Sequence, residues 1–529
     1  MISRGLGAAL LSTAIVLSSG VTGASAAIVY NRGNDTDPTT LDIDKTTTVA
    51  EGNLSRDLYE GLLIPDAKAN VAPGVAKSWK VSDDGLKYTF TLRDDAKWSN
   101  GDPVKASDFV FAFQRLEDPK TAATYANIQY VIKNAEAVNQ GKMAPDQLGV
   151  KAIDDHTLEI DLEHPTPYFL QLLTHQTALP LHEASLKKYG DQFTKPGNFV
   201  TNGAYMLKSF TPNDKIVMVK NPNYWDAKDV KIDQVNYIPF EDRSACLRRF
   251  EAGEVQSCSD VPAEQIDYVK KKLGDQLHIA PYLGTYYLPI DTREKVLSDP
   301  RVREAMSLVI DRQFLAEKIW RGAMLPGYSM VPPGIANYFD PVYLKYKDGD
   351  MLDREDQAKK LLKDAGVKDG SLTVELRYNT SENNKNTMTA VADMLKDIGI
   401  KSKLVEMEGT GYFDYLKSGK NYDMARAGWI GDYSDPQNFL FLFETKNKGF
   451  NYPHWSDKQY DALMQKAAET GDLHARSKLL SQAEGIFLDK VPAIPILYYS
   501  SLSLVSDKLK GWDDNILNFH MTRYMSLEQ

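Results

Sequence analysis

The sequence predicts an α/β protein of several lobes with mixed sheets, each lobe assembled from separate stretches of chain. Three observations carry that expectation. The chain has 529 residues, a length that implies two or more lobes. Its patterning runs β-rich, mixed, β-rich, α/β and finally β again, an order that resists cutting into sequential units. Residues 299–420 alternate helices with strands, which marks βαβ-like units. A chain that leaves a lobe and re-enters it makes a hinge at each crossing, and clefts at such junctions commonly hold ligands.

The elements follow in order. "AIVYNRG" reads as a strand. In "SWKVSDDGLKYTFTLRDDAKWSNGDPV" Tyr88, Phe90 and Leu92 alternate with polar residues, and Asp84-Gly85 and Asn100-Gly101 mark hairpin turns. "KASDFVFAFQRLEDP" switches to helical period, with Ser107 as expected N-cap. Short strands then dominate ("GAYMLKSF", "DKIVMVKNP", "QVNYIPF"), with one helix around Cys246. The α/β stretch holds the helices "DPRVREAMSLVIDRQFLAEKIW", "REDQAKKLLKDAG" and "NKNTMTAVADMLKDIG" and the strands "SLTVELRYN" and "IKSKLVEME". After more helix at 457–489 the chain returns to strand in "AIPILYYSSLSLV".

The N-terminus addresses the chain for export. Arg4 precedes "LGAALLSTAIVL", which is too short to span a bilayer, and Ala24-Ser25-Ala26 places small residues where a signal peptidase reads. Residues 1–26 are thus expected to be a signal peptide, and the mature chain soluble. A net charge of −10 with mixed signs argues against nucleic acid or an anionic membrane as partner. The only cysteines, Cys246 and Cys258, form an even pair in an oxidising compartment. One structural disulfide is expected, with two buried thiols as the alternative, because sequence alone does not fix the Cα separation.

Enzyme signatures are missing. There is no G-x-S-x-G, H-E-x-x-H, Walker A or G-x-G-x-x-G motif. The eight histidines are scattered without metal-ligand spacing, and His182-Glu183 is a lone dipeptide that reads as a surface cap. No metal, cofactor or catalytic residue is expected.

One stretch needs explaining. "RAGWIGDYSDP" (426–436) places an arginine, a tryptophan and two aspartates where a sheet should feed a core. Unpaired charges are costly there, so they pair with each other or something from outside completes them. Asp435, directly before Pro436, suits a helix-capping role, which leaves Asp432 without one. Arg426 has Asp423 as a possible internal partner.

At "SRDLYEGLL", "APGVAKSW" and "YTFTLRDDAKWSNGDPVKASDFVFAFQR" the chain resembles the large periplasmic solute-binding proteins of peptide ABC importers, of the oligopeptide-binding type. "TNGAYMLKSF", "NPNYWD", "PYLGTYYLPID", "DPRVREAMSLVIDR", "LRYNTSENN" and "DMARAGWIGDYSDP" extend the likeness in the same order over essentially the whole mature chain. The resemblance implies a three-lobed fold that closes on its ligand like a flytrap about two hinges. Lobe I would comprise 27–59, 184–283 and 499–529, lobe II 60–183 and lobe III 284–498. It further implies a monomeric receptor in the periplasm of a Gram-negative bacterium, passing short oligopeptides to a membrane ABC permease. Murein peptides, dipeptides, opine-like conjugates and metal chelates are alternative ligands; an exported hydrolase and a chaperone-like role are alternative functions.

The same resemblance assigns a site. A peptide enters as an added β-strand, held through its main chain. Asp432 would anchor its α-ammonium, and Gly428, Trp429 and Ile430 would form the edge strand beside it. Thr47, Thr48 and Val49 would supply a strand on the other side. Arg426 and Lys417 would read the terminal carboxylate of peptides of different length, while Tyr125, Trp429 and Tyr498 pack around the ligand or the anchor aspartate. Two positions depart from the family pattern: Gly284 and Ile430 stand where well-known members carry bonded cysteines, and Asn384 stands where some carry a histidine.

Overall fold

The computed structural model describes residues 27–240, 242–407 and 409–528; the expected signal peptide at 1–26 lies outside them. The chain opens with β1 (Val29–Asn34) and α1 (Val49–Leu58). The hairpin β2 (Ala76–Val81) and β3 (Lys87–Leu92) turns through Gly85 at φ 70°. Helix α2 (Ala106–Glu117) and the strands β4 (Val150–Asp154) and β5 (Thr157–Asp161) complete this region. The predicted alternation holds: Phe90 and Leu92 are fully buried and Tyr88 nearly so. The N-cap of α2 is Lys105 rather than Ser107, because the Asp108 carboxylate accepts the Lys105 N–H at 2.9 Å and fixes the helix start two residues earlier than the serine would.

Strands β6 (Tyr205–Thr211), β7 (Lys215–Lys220) and β8 (Gln234–Pro239) precede α3 (Arg243–Glu251) and the short β9 (Ser257–Cys258). Then come the long β10 (Leu277–Pro289) and β11 (Met324–Pro326). The α/β stretch contributes β12 (Thr373–Asn379), α4 (Glu382–Lys396), β13 (Lys401–Met407) and α5 (Gly409–Lys417). After it follow β14 (Met424–Ala425), β15 (Ala427–Ile430), α6 (Leu473–Lys490) and the long β16 (Ala493–Val505).

Among the described residues the largest sheet has nine strands in the order β15-β10-β16-β9-β1-β8-β7-β6, with β11 added to β16. A parallel sheet runs β13-β12-β14, as the βαβ pattern predicts, and an antiparallel sheet runs β2-β3-β5-β4. Strands β10 and β16 tie the molecule together. Their first pairing, Leu277–Pro281 with Ser500–Leu504, joins the body containing β1; their second, Thr285–Pro289 with Ala493–Tyr498, joins the α/β part. The register slips between Pro281 and Thr285, where an irregular ladder leaves the sheet free to bend.

Cys246 and Cys258 are bonded, with Cα atoms 6.1 Å apart, inside a small core with Ile238, Phe250 and Val269. The loop they close spans 12 residues of sequence, so reduction should cost about 2–3 kcal/mol of stability, read as a lower urea midpoint for a Cys246→Ser/Cys258→Ser protein. An unchanged midpoint would show that this core holds without the bond.

Glu117, at the end of α2, is 1% exposed and both its carboxylate oxygens are buried without a partner. Burial, reinforced by Asp44, pushes its pKa up to about 9. A raised carboxyl stabilises the fold below its unfolded value and loses that contribution as pH rises through the folded one. Glu117→Gln should therefore leave the melting temperature near its wild-type value at pH 4 and raise it at pH 9.5. Parallel melting curves across that range would contradict the assignment.

Candidate peptide-binding cleft

A cleft of about 980 Å³ lies between the 124–168 region and the 417–476 region, at the upper end of the size usual for small-ligand sites, about 300–1,000 Å³. Tyr125, Lys417, Trp429 and Asp432 all line it. The geometry explains why these chemically different groups meet there.

The stretch 424–430 changes sheets. Met424 and Ala425 pair with β12 in the parallel sheet, and Ala427–Ile430 pair with β10 in the nine-stranded one. Arg426 is the switch residue, its N–H donated to the Arg377 carbonyl at 2.8 Å. Strand β15 lies at the sheet edge, bonded on one side only. The Gly431 N–H donates to the Leu283 carbonyl at 2.7 Å, and antiparallel bonding alternates residue by residue. The N–H and C=O groups of Gly428 and Ile430 therefore point to the open edge. An extended ligand could pair there.

Gly428 has a further reason to be glycine: a Cβ would sit 2.4 Å from the Tyr499 hydroxyl oxygen. The side-chain space is filled from within the protein, not by a ligand. On the same face Arg426 donates to Tyr499 Oη at 2.7 Å and to Asn379 Oδ1 at 3.3 Å, and it lies 4.6 Å above the Tyr286 ring. Asp423 does not pair with it, because the Asp423 carboxylate accepts the Glu375 N–H at 2.7 Å. Among the described residues Arg426 has no carboxylate partner, and its Nε is buried without an acceptor. Asn384 is buried beneath this region, accepting from Tyr286 Oη at 3.1 Å and donating to Asn379 Oδ1 at 3.0 Å.

Trp429 faces the opposite way. Its Nε1 donates to Asn438 Oδ1 at 3.0 Å, and its ring packs edge-on against Phe441 and Phe450 at 5.6 and 5.2 Å. Lys417, exposed at the end of α5, has its Nζ 5.4 Å from the Phe450 ring. That places a cation at one wall of an aromatic box.

The two aspartates divide as their surroundings dictate. Asp435 is fully buried and receives both guanidinium nitrogens of Arg476 at 2.8 Å, Asn337 Nδ2 at 3.1 Å and the Gln437 N–H at 3.0 Å. It is the expected helix cap. Asp432 has no hydrogen bond or ion pair among the described residues, and it lines the cleft. Burial alone pushes its carboxyl up to about 7, since nothing nearby stabilises the charge. Tyr125 stands beside it, pushed up to about 12 by burial and then by the Asp432 charge.

Two assignments need correction. Thr47–Val49 is not a strand. Thr48 caps α1 and Glu51 reaches back to the N–H groups of Thr47 and Thr48 at 2.8 and 3.1 Å. A Thr-x-x-Glu capping box was legible in "TVAE" and outcompetes extended pairing at that point. Tyr498, like Arg426, Gly428 and Ile430, is not among the residues lining the cleft. Its hydroxyl accepts the N–H groups of Tyr328 and Ser329 at 3.1 and 2.9 Å, holding a turn behind the sheet. Residues that sequence reasoning missed are Asn438, Phe441 and Phe450, which no local pattern distinguishes from core.

A family model described as "Bacterial extracellular solute-binding proteins, family 5 Middle" matches residues 70–451. The chain is 38% identical to the periplasmic oligopeptide-binding protein OppA of Escherichia coli over 525 residues, covering 97% of this chain and 95% of that protein. Its structure resembles that of the E. coli murein tripeptide binding protein MppA, with a TM-score of 0.82, 36% identity and coverage of 95% and 99%. Haemophilus influenzae OppA, solved in complex with the peptide RPPGFSPFR, matches with a TM-score of 0.81, 34% identity and coverage of 95% and 99%. These relatives are binding proteins, and no described helix here is long and apolar enough to cross a membrane. With an edge strand, an unpaired carboxylate and family-wide similarity along its length, this chain belongs to the bacterial extracellular solute-binding proteins of family 5.

Proposed function

We propose that this protein is a periplasmic receptor that captures short oligopeptides in the cleft and delivers them, as a monomer and without chemical change, to a membrane ABC permease. The observation that carries the reading is Asp432, a carboxylate without a partner in a cleft beside an open strand edge. A peptide supplies what both lack: an α-ammonium for the charge and a backbone for the edge. An ammonium with a reference pKa near about 8 is largely charged at neutral pH, so it and Asp432 neutralise each other on binding. Affinity carried by main-chain bonds is insensitive to side chains, which suits a receptor of broad specificity. Arg426, lacking any carboxylate, and Lys417 are the cations left for the ligand's terminal carboxylate.

In this reading the lobes are 27–59 with 184–283 and 499–529, then 60–183, then 284–498, and the irregular ladder between β10 and β16 serves closure. Calorimetric titration of the ligand-stripped protein with Ala-Ala-Ala and with its N-acetylated form tests the proposal. The free peptide should bind and the acetylated one should not. Equal binding of both would remove Asp432 from the amine-binding role.

A further inference from the structure

Three rings that line the cleft are only partly covered by the chain itself. Trp429, Phe441 and Phe450 sit at the margin of a hydrophobic core, half-buried, and all three line the cleft. They meet edge-on in every pair: Trp429 with Phe441 at 5.6 Å, Trp429 with Phe450 at 5.2 Å, and Phe441 with Phe450 at 6.2 Å. The Trp429 ring is locked in place. Its Nε1 donates to Asn438 Oδ1 at 3.0 Å, and Asn438 Nδ2 donates to the Tyr433 carbonyl at 3.0 Å. Tyr125 and Tyr130 line the same cleft from the 124–168 side. Apolar surface left open in this way forgoes burial that a ligand side chain can supply.

The strand edge determines which ligand residue meets these rings. Asp432 lies beyond the C-terminal end of β15 and Arg426 just before its N-terminal end. A ligand with its amine at the first and its carboxylate toward the second runs antiparallel to β15. Gly428 and Ile430 offer the open N–H and C=O groups, so they form the hydrogen-bonded pairs. Ile430 is the last open position before Asp432; the ligand's first residue therefore pairs with Ile430 and its third with Gly428. The second residue then stands opposite Trp429 in a non-hydrogen-bonded pair, the arrangement that brings side chains closest. Residues directly opposite share a face of the sheet. The second side chain thus lies on the face of Trp429, and the first and third on the face of Gly428. Tyr499 fills the space beside Gly428 and Gly284 on that other face, and Arg426 binds it there. Only the face of Trp429 opens into the cleft.

We propose that Phe441 and Phe450 are specificity-determining residues of this cleft, forming with Trp429 a box that selects an aromatic side chain at the ligand's second residue. The inference rests on the oligopeptide reading. A further ring entering the box makes edge-to-face contacts with rings already fixed, and each such pair contributes beyond its buried area. Lys417, its Nζ 5.4 Å from the Phe450 ring, already supplies a cation at this wall. It repels a second one, so the neutral rings of phenylalanine and tyrosine suit the box better than a basic side chain does.

The test titrates four peptides calorimetrically into the ligand-stripped wild-type protein: Ala-Ala-Ala, Phe-Ala-Ala, Ala-Phe-Ala and Ala-Ala-Phe. The three phenylalanine peptides share one composition, so position alone distinguishes them. Ala-Phe-Ala should bind at least about tenfold tighter than each of the other three. In the Phe441→Ala/Phe450→Ala protein the affinity ratio of Ala-Phe-Ala to Ala-Ala-Ala should fall to near one. In Phe441→Leu/Phe450→Leu part of it should survive, each variant first verified as folded by its melting curve. Equal binding of the three phenylalanine peptides, tighter binding of Phe-Ala-Ala or Ala-Ala-Phe, or an undiminished ratio in either variant would overturn the inference and leave the oligopeptide reading intact. Failure of all four to bind would overturn both.

Discussion

Asp432→Asn is expected to weaken binding of a free-amine tripeptide by about 30- to 5,000-fold, because losing one partner of an enclosed charge pair costs about 2–5 kcal/mol. The same site should respond to pH. In the ligand-free protein the carboxyl titrates at about 7, and only its ionised form holds an ammonium. Affinity should thus fall about tenfold per pH unit below 7, and the Asp432→Asn protein should lose that slope. Stability should move the other way. The folded pKa lies above the unfolded one, so the stabilising contribution is present below about 3.8 and is lost as pH rises through 7. Ligand-free Asp432→Asn should accordingly melt higher than wild type at pH 8 and alike at pH 4. A variant that binds as wild type does, or melts lower at pH 8, would show that Asp432 already has a partner. The pairing of a weaker binder with a more stable protein separates this expectation from simple misfolding.

The second large effect concerns the pair that holds this loop in place. Arg476 and Asp435 are 1% and 0% exposed at their side chains. Breaking such a pair strands the survivor's charge in the interior and costs about 3–5 kcal/mol. Arg476 also lies 5.2 Å above the Tyr168 ring, and Tyr168 stacks on Tyr433 at 5.0 Å, so the contact links the 168 region to the loop carrying Asp432. Asp435→Ala and Arg476→Leu should each lower the urea midpoint strongly, whereas the double variant should lose less than the sum of the two. Both single variants should also bind peptide less well, since the 431–437 segment loses its anchor. Single-variant losses below about 1 kcal/mol would place the pair among exposed bridges that contribute little.

These two aspartates, three residues apart, show how far the sequence reaches. Asp435 before Pro436 was legible as a cap because capping is a local interaction. Its ion pair with Arg476, 41 residues on, was not. That Asp432 is the charge left over follows only by subtraction once the other partners are known.

Local physics set much of the molecule on its own. Alternation at Tyr88, Phe90 and Leu92 fixed which face of β3 goes inward, the helix–strand succession fixed the parallel sheet β13-β12-β14, and the even cysteine pair pointed to a bond that the fold makes. Periodicity and turn chemistry act over a few residues and survive in any context. The extended run through 424–430 was legible as well; its division between two sheets at Arg426 was not, because either edge would satisfy the same backbone groups. The Tyr498 hydroxyl went to a turn 169 residues away, a partner that no pattern in "AIPILYYSSLSLV" announces. Buried groups such as Glu117 and Arg426 look like ordinary surface charges in sequence. Desolvation depends on what the rest of the chain packs around a side chain, so only the tertiary structure decided which charges were satisfied and which were left for a ligand.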